Sequence, residues 1–484
     1  MIRPLVVVRY VGLILLILVG FMLVAGFVSC IGGPDQSTTP LFYSAFIGLL
    51  TGIFPVIFTK GVPGINRREG FAIVVIAWFM ACLIGGLPYL LYGDEFTIIN
   101  SFFESVSGFT TSGASIIEDI EALPDGLLFW RMSTSWIGGI GVVMFALLIL
   151  PSMRGVGNTL SDMELSTIAK DNYHTTKRSY IVRLLIITYC VLTAITALSL
   201  YLAGMDWFNA ICHAMSACSS CGFSTKNASI AAFNSPLIES LLIVSMTCAG
   251  IHFGVFLNAI TGKGSTKGLT SSLKVYIIFM VAVAVAVTLD LWHEDIYPSF
   301  LGCLRRGVFH VVSLTTTTGF AITDTNTWPA FCVVLLTVCS LVCACSGSTT
   351  GGIKMDRMII MVKSAQRRIL RQRNPNRFYT VRIDGRSISD DRVEDALNFI
   401  AVYLMIVAVG SLLYTAFGND LQTSFSGAVA CLGNVGPGFG KVGSLDNFGP
   451  LNTPTKVVSV VLMFLGRLEI FEILQLFYKH RDTI

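Results

Sequence analysis

The sequence predicts an all-α integral membrane protein, built as four helix, re-entrant pore helix, helix repeats around a central ion pathway, with an N-terminal helix pair ahead of them. Three observations predict it. Apolar residues fill 54% of 484 positions and charged residues 13%, a composition suited to lipid rather than water. Apolar stretches long enough to cross about 30 Å of hydrocarbon recur along the whole chain. Between them lie four shorter segments that align on glycine without gaps. The formal net charge of +4 is too mild to argue for a nucleic-acid partner, and none is expected.

The first two stretches, 5 to 29 and 40 to 59, form the N-terminal pair. Arg3 and Arg9 flank a run too long for a signal-peptide core, so it reads as a first span. The outward and returning spans that follow are 69 to 92 with 127 to 151, 179 to 203 with 236 to 260, 273 to 292 with 328 to 362, and 396 to 417 with 455 to 478. The expected units are 1–66 for the pair, then 67–153, 154–262, 263–377 and 378–484 for the four repeats. An even number of crossings puts both termini on one side. Of the 33 Lys and Arg, only Lys226, Arg305, Arg306, Lys441 and Lys456 then fall clearly outside, with Arg131 and Arg467 within spans, so that side is the cytoplasm. The basic run from Lys363 to Arg392 is what this topology requires of a cytoplasmic loop. It could also meet an anionic partner or membrane lipid.

The four short segments read SFFESVSGFTTSGAS, NAICHAMSACSSCGFST, GVFHVVSLTTTTGFAIT and SFSGAVACLGNVGPGFG, aligned on Gly113, Gly222, Gly319 and Gly436. Nine residues before each Gly stand Glu104, His213, His310 and Gly427; six before stand Ser107, Ser216, Ser313 and Ala430. Each unit starts by leaving the cytoplasm, so the copies run parallel and imply an axis along the membrane normal. Non-helical backbone at membrane depth survives only where it is packed in protein or lines water. Glycine lets such a loop turn its carbonyl oxygens inward, and Ser or Thr can add hydroxyl oxygens, all of them cation ligands. Each short helix aims its partially negative C-terminal end at the middle of the bilayer. Close packing of small residues would explain one such loop but not four at matching positions.

Other chemistry is weakly supported. Cys218-Ser-Ser-Cys221 fits a C-x-x-C pattern but closes a re-entrant helix rather than opening one in a soluble redox fold. His213 and His310 match in position, yet Glu104 and Gly427 complete no ligand set, so hydrogen bonding is the expected role. His252 is assigned nothing. No Walker loop, dinucleotide fingerprint or catalytic triad occurs, so neither an enzyme nor an organic cofactor is expected.

The four loops, together with STTGGIK (348 to 354) and GRLEIF (466 to 471), resemble the Trk/Ktr/HKT superfamily of potassium transporters, nearest its TrkH/TrkG potassium-uptake branch. The resemblance covers about 69 to 479. It implies potassium-selective uptake through a single channel-like pathway per subunit in the bacterial inner membrane, potassium being the transported ion. The implied selectivity filter is Thr110, Thr111, Ser112 and Gly113; Ser219, Ser220, Cys221 and Gly222; Thr316, Thr317, Thr318 and Gly319; and Gly433, Asn434, Val435 and Gly436. In that superfamily Ser in place of the first filter Gly goes with sodium transport, so the resemblance implies that Gly113 favours potassium. The second and fourth loops lack the Thr richness of the others, so their oxygens would be mainly backbone.

The third unit's returning span is interrupted by ACSGSTTGGIK, where glycines with Ser and Thr would unwind a helix in mid-bilayer. In the superfamily this is an intramembrane gating loop beneath the filter. The matching positions are Ser346, Gly347, Ser348, Thr349, Thr350, Gly351 and Gly352, followed by Lys354. Arg467 in the last span would face the pathway and hold nearby carbonyls, while Glu469, two positions on, points elsewhere. The resemblance further implies a homodimer seated on a cytosolic nucleotide-binding regulatory ring of the TrkA type. The rival mechanism is a proton- or sodium-coupled potassium symporter.

Overall fold

The computed structural model describes residues 3–31, 33–59, 67–148, 178–256, 269–383 and 386–468. Helix α1 (Pro4–Ser29) and α2 (Thr38–Phe58) form an antiparallel pair joined by a turn that Asp35 closes, accepting from the Ser37 amide (2.8 Å) and the Ser37 hydroxyl (2.6 Å). Gly12 and Gly52 let the two backbones approach closely, as small residues do where helices meet in lipid. Arg3 grips Glu69 with two donors, Nε at 2.6 Å and Nη2 at 2.7 Å, tying the chain's start to α3 (Arg67–Gly85).

The first unit leaves by α3 and α4 (Leu87–Tyr92), kinked where Pro88 has no N–H to give. The Gly85 carbonyl at that kink accepts from the indole of fully buried Trp130 (3.0 Å). The chain then re-enters as α5 (Ile98–Phe109) and returns as α6 (Asp125–Leu148). The same order follows three more times. α7 (Arg178–Leu202), α8 (Trp207–Ser219) and α9 (Pro236–Ala249) make the second. α10 (Leu269–His293), α11 (Phe300–Thr315), α12 (Ala330–Val342) and α13 (Met355–Arg373) make the third. α14 (Asp390–Ala416), α15 (Leu421–Gly433) and α16 (Thr453–Arg467) make the fourth.

Among the described residues six helical segments are long and apolar enough to cross a membrane: Pro4–Ser29, Thr38–Phe58, Arg68–Tyr92, Arg183–Leu202, Ser271–His293 and Asp390–Ala416. The expected spans ending at 151 and 478 run beyond the described residues. Two others differ from continuous crossings. The stretch 328 to 362 breaks between α12 and α13, as expected. The stretch 236 to 260 also breaks, after Ala249, which periodicity did not foretell. One small departure from all-α is a two-residue hairpin in the basic loop, Arg382–Ile383 against Arg386–Ser387. Exposed apolar stripes at helical spacing, such as Ile278, Val281, Val285 and Leu289 on α10, give the bundle a lipid-facing surface. The protein is an all-helical, multi-pass membrane protein.

Candidate functional site

Each re-entrant helix is complete at both ends, which is why it can stop at membrane depth. At the N-termini the side chains of Thr97, Asp206, Ser299 and Asp420 accept from the amides of Asn100, Asn209, Gly302 and Thr423, at 3.0 to 3.3 Å. The Thr423 amide holds the Asp420 carboxyl below its ordinary range. At the C-termini all four close with the same pair of backbone bonds. The amides of Thr111, Ser220, Thr317 and Asn434 reach back three residues, and those of Ser112, Cys221, Thr318 and Val435 reach back five, to Ser107, Ser216, Ser313 and Ala430. This is a Schellman ending, and it needs a left-handed residue at its turn. Thr111, Ser220, Thr317 and Asn434 supply it with φ of 53°, 59°, 52° and 51°.

Two residues later the aligned glycines are left-handed again, Gly113 at 78°, Gly222 at 83°, Gly319 at 81° and Gly436 at 95°. Here the four loops meet. A Cβ placed on Gly113 would overlap the carbonyl oxygen of Cys221; on Gly222, that of Thr318; on Gly319, that of Val435; and on Gly436 it would crowd that of Ser112 at 2.7 Å. The contacts run from loop to loop and close on the first. The carbonyls of Ser112, Cys221, Thr318 and Val435 therefore form one ring, and the glycines are what lets it be this tight. A cavity opening from the ring is lined by all four glycines together with Arg131, Lys226, Ser444 and Asp446. Burial, with Asp324's charge next, pushes the Asp446 carboxyl up from its ordinary range.

The hydroxyls of the loops are mostly spent on protein. Thr110 Oγ1 donates to the Val106 carbonyl (2.7 Å) and Thr316 Oγ1 to that of Val312 (2.8 Å), each also 2.9 Å from the hydroxyl two residues on. Ser219 Oγ donates to the Ser216 carbonyl (3.0 Å), and Asn434 Nδ2 to Ser112 Oγ (2.7 Å). These bonds brace the loops through the hydroxyl protons and leave the oxygen lone pairs of Thr110, Thr316 and Ser219 in place. His213 spans the Asn209 carbonyl (2.8 Å) and Ser224 Oγ (2.9 Å), and His310 Nδ1 meets the Arg306 carbonyl (3.0 Å). No cluster of metal-binding side chains occurs among the described residues.

The interrupted span between α12 and α13 lies under this ring, on its helix-end side. It turns through left-handed Cys343, Gly347, Gly352 and Lys354. Thr349, fully buried, pairs its hydroxyl with Ser220 Oγ (2.8 Å), and the Gly351 amide donates to Thr317 Oγ1 (3.3 Å). Gly351 also lies tight against the Gly433 carbonyl. The segment from Ser346 to Gly352 thus touches the left-handed residues of two loops and the end of a third helix. Ser348 and Thr350 pair with each other (2.6 Å), and the Ser346 amide donates to Asp356 (2.8 Å). Arg467 completes the contact: Nη1 donates to the Thr349 carbonyl (2.7 Å) and Nη2 to the Gly138 carbonyl (3.3 Å). Glu469 and the rest of GRLEIF beyond 468 lie outside the described residues. The break after α9 interlocks with the same segment, since the Phe253 amide donates to the Gly347 carbonyl (3.1 Å) and the Cys345 amide to that of Gly250 (3.3 Å). Sequence reasoning missed this second break, whose signal was Gly250, His252 and Gly254 close together in an apolar run.

Comparison with known proteins fits this geometry. A family model described as TrkH, cation transport protein, matches residues 46–285 and 269–483. The Trk system potassium uptake protein TrkH of Salmonella typhimurium is 34% identical over 97% of both chains. The Trk system potassium uptake protein TrkG of Escherichia coli is 32% identical over 85% of both. The crystal structure of the potassium transporter TrkH from Vibrio parahaemolyticus superposes with a TM-score of 0.88 at 30% identity, covering 99% of each chain.

Proposed function

From the premise that this chain belongs to the TrkH family of cation transport proteins, we propose that it carries potassium inward across the bacterial inner membrane through the ring of four loops. The observation that carries the reading is the cyclic contact of Gly113, Gly222, Gly319 and Gly436 with the carbonyls of the neighbouring loops. A dehydrating potassium ion would exchange its water shell for the carbonyl oxygens of Ser112, Cys221, Thr318 and Val435 and of the residues stacked with them, Thr110 to Gly113, Ser219 to Gly222, Thr316 to Gly319 and Gly433 to Gly436. The C-terminal ends of α5, α8, α11 and α15 converge on the same point and favour a cation there. Ser346 to Gly352, followed by Lys354, serve as the gate, with Arg467 latching Thr349 and holding positive charge beside the path. Potassium is substrate, and the chemistry is binding and release with no covalent step.

The relatives are named as components of a Trk system, which supports association with other subunits. We place this chain in a homodimer on a TrkA-like nucleotide-binding ring at its cytoplasmic face, where Arg367, Arg368 and Arg371 of α13 stand outside the bilayer, both termini lying on that side. The test is potassium and sodium flux into liposomes holding the purified protein. Potassium uptake well above sodium uptake is expected. Equal rates for the two ions would overturn the reading.

A further inference from the structure

Resting on that reading, we infer that the buried ion pair Glu104–Arg131 is a positioning device for selectivity, fixing the seam between the first and second loops. Glu104 sits on α5 nine residues before Gly113, and Arg131 on the returning helix α6; neither exposes more than 1% of its surface. Arg131 Nε donates to Glu104 Oε1 (2.6 Å). The carboxylate also accepts from Ser115 Oγ (3.2 Å) and the Ile116 amide (3.1 Å), the residues just past Gly113. Arg131 spends Nη1 on the Ser224 carbonyl (2.9 Å), two residues past Gly222, and its guanidinium carbon stands 3.6 Å from the centre of the Phe223 ring. One pair therefore grips the outgoing backbone of both loops at the point where Gly113 abuts the Cys221 carbonyl.

The other seams are clasped next to the ring without a buried ion pair, the one carboxylate among them being Asp446, which accepts from Asn326 (3.1 Å). The Ile230 amide donates to the Ala321 carbonyl (3.1 Å), Asn326 exchanges two bonds with Gly440 (2.9 and 3.0 Å), and the Phe448 amide donates to the Ser115 carbonyl (2.7 Å). Among the described residues no other ion pair is buried on both sides. A buried pair is a poor source of stability, because removing two charges from water offsets their attraction. Its two-sided grip on the ring gives it a role that packing would not supply. A lysine at 131 keeps the charge, but its single ammonium cannot reach both Glu104 and the Ser224 carbonyl as the planar fork does.

The experiment compares purified wild type, Arg131→Lys and the double variant Glu104→Gln/Arg131→Met in liposomes, reading potassium and sodium influx. Both variants are expected to lower the potassium-to-sodium ratio by roughly tenfold, the scale of one charged hydrogen bond. A wild-type ratio in either variant that purifies as monodisperse protein would overturn the inference. So would failure of both to purify, which would assign the pair to folding alone. A wild type without potassium preference would instead sink the proposed function, and the inference with it.

Discussion

At the scale of single residues, the tightest constraint falls on the four glycines, for two reasons that act together. Their φ values near 80° to 95° are closed to most side chains, and the space a Cβ would need is held by a neighbouring carbonyl oxygen. Gly113→Ser is the sharpest probe: the added atoms push on the Cys221 carbonyl, and the ring opens at one seam. We expect discrimination against sodium to be lost, read as growth rescue of a potassium-uptake-deficient bacterium at low potassium and as flux ratios in liposomes. Unchanged discrimination would remove the first loop from the filter. Arg467→Gln tests the opposite side of the site. It removes the charged donor from the Thr349 carbonyl, a bond worth about 1.5–3 kcal/mol when buried, and leak flux should rise. The glycines were legible because few other residues repeat in register for conformational reasons. The left-handed positions two residues earlier were not, because Thr111, Ser220, Thr317 and Asn434 share no side-chain chemistry; only the Schellman bonding pattern makes them equivalent. The Glu104–Arg131 pair was hidden likewise, since Glu104 lines up with His213, His310 and Gly427, and each unit clasps its outgoing loop differently.

At the scale of elements, the short helices were readable to within a few residues because their length, their small-residue endings and the aligned glycines all agree. Asp206→Ala should cost about 1 kcal/mol, the usual worth of such a cap, seen as a lower thermal midpoint of the detergent-solubilised protein. Loss of no stability would mean the helix start is held by packing instead. The interrupted segment was legible for a different reason: three glycines among Ser and Thr leave no helix to propagate, and Thr349 and Gly351 within it meet the loops. Shortening 347–352 should raise potassium leak through the unstimulated protein in liposomes, since the contacts of Thr349 and Gly351 with the loops vanish. Unchanged leak would deny the segment a gating role. The companion break after Ala249 escaped notice because two Gly four apart, Gly250 and Gly254, in an apolar helix ordinarily mean close packing. Its partner, the Gly347 carbonyl that the Phe253 amide needs, lies almost a hundred residues away in the sequence.

For the whole molecule, the question is whether transport must be coupled to a second ion. The ring takes its oxygens from the backbone of Ser112, Cys221, Thr318 and Val435, and a backbone carbonyl does not exchange protons in the physiological range. The charged side chains nearest to it are engaged with protein: Arg131 with Glu104, Arg467 with the Thr349 and Gly138 carbonyls and, in the cavity that opens from the ring, Lys226 with Glu121 (3.1 Å) and Asp446 with Asn326 (3.1 Å). A proton-coupled cycle needs an ionisable side chain whose protonation changes as the ion moves. Potassium should therefore follow its own gradient into liposomes clamped at equal pH on both sides and free of sodium, with a rate that stays level between about pH 6 and 8, away from the carboxylate range. Flux that vanished without a proton gradient would favour the symporter and would require a titrating group on the path. Flux restored by sodium alone would favour sodium coupling by the same logic, and would place a second cation site along the path, apart from the carbonyl ring.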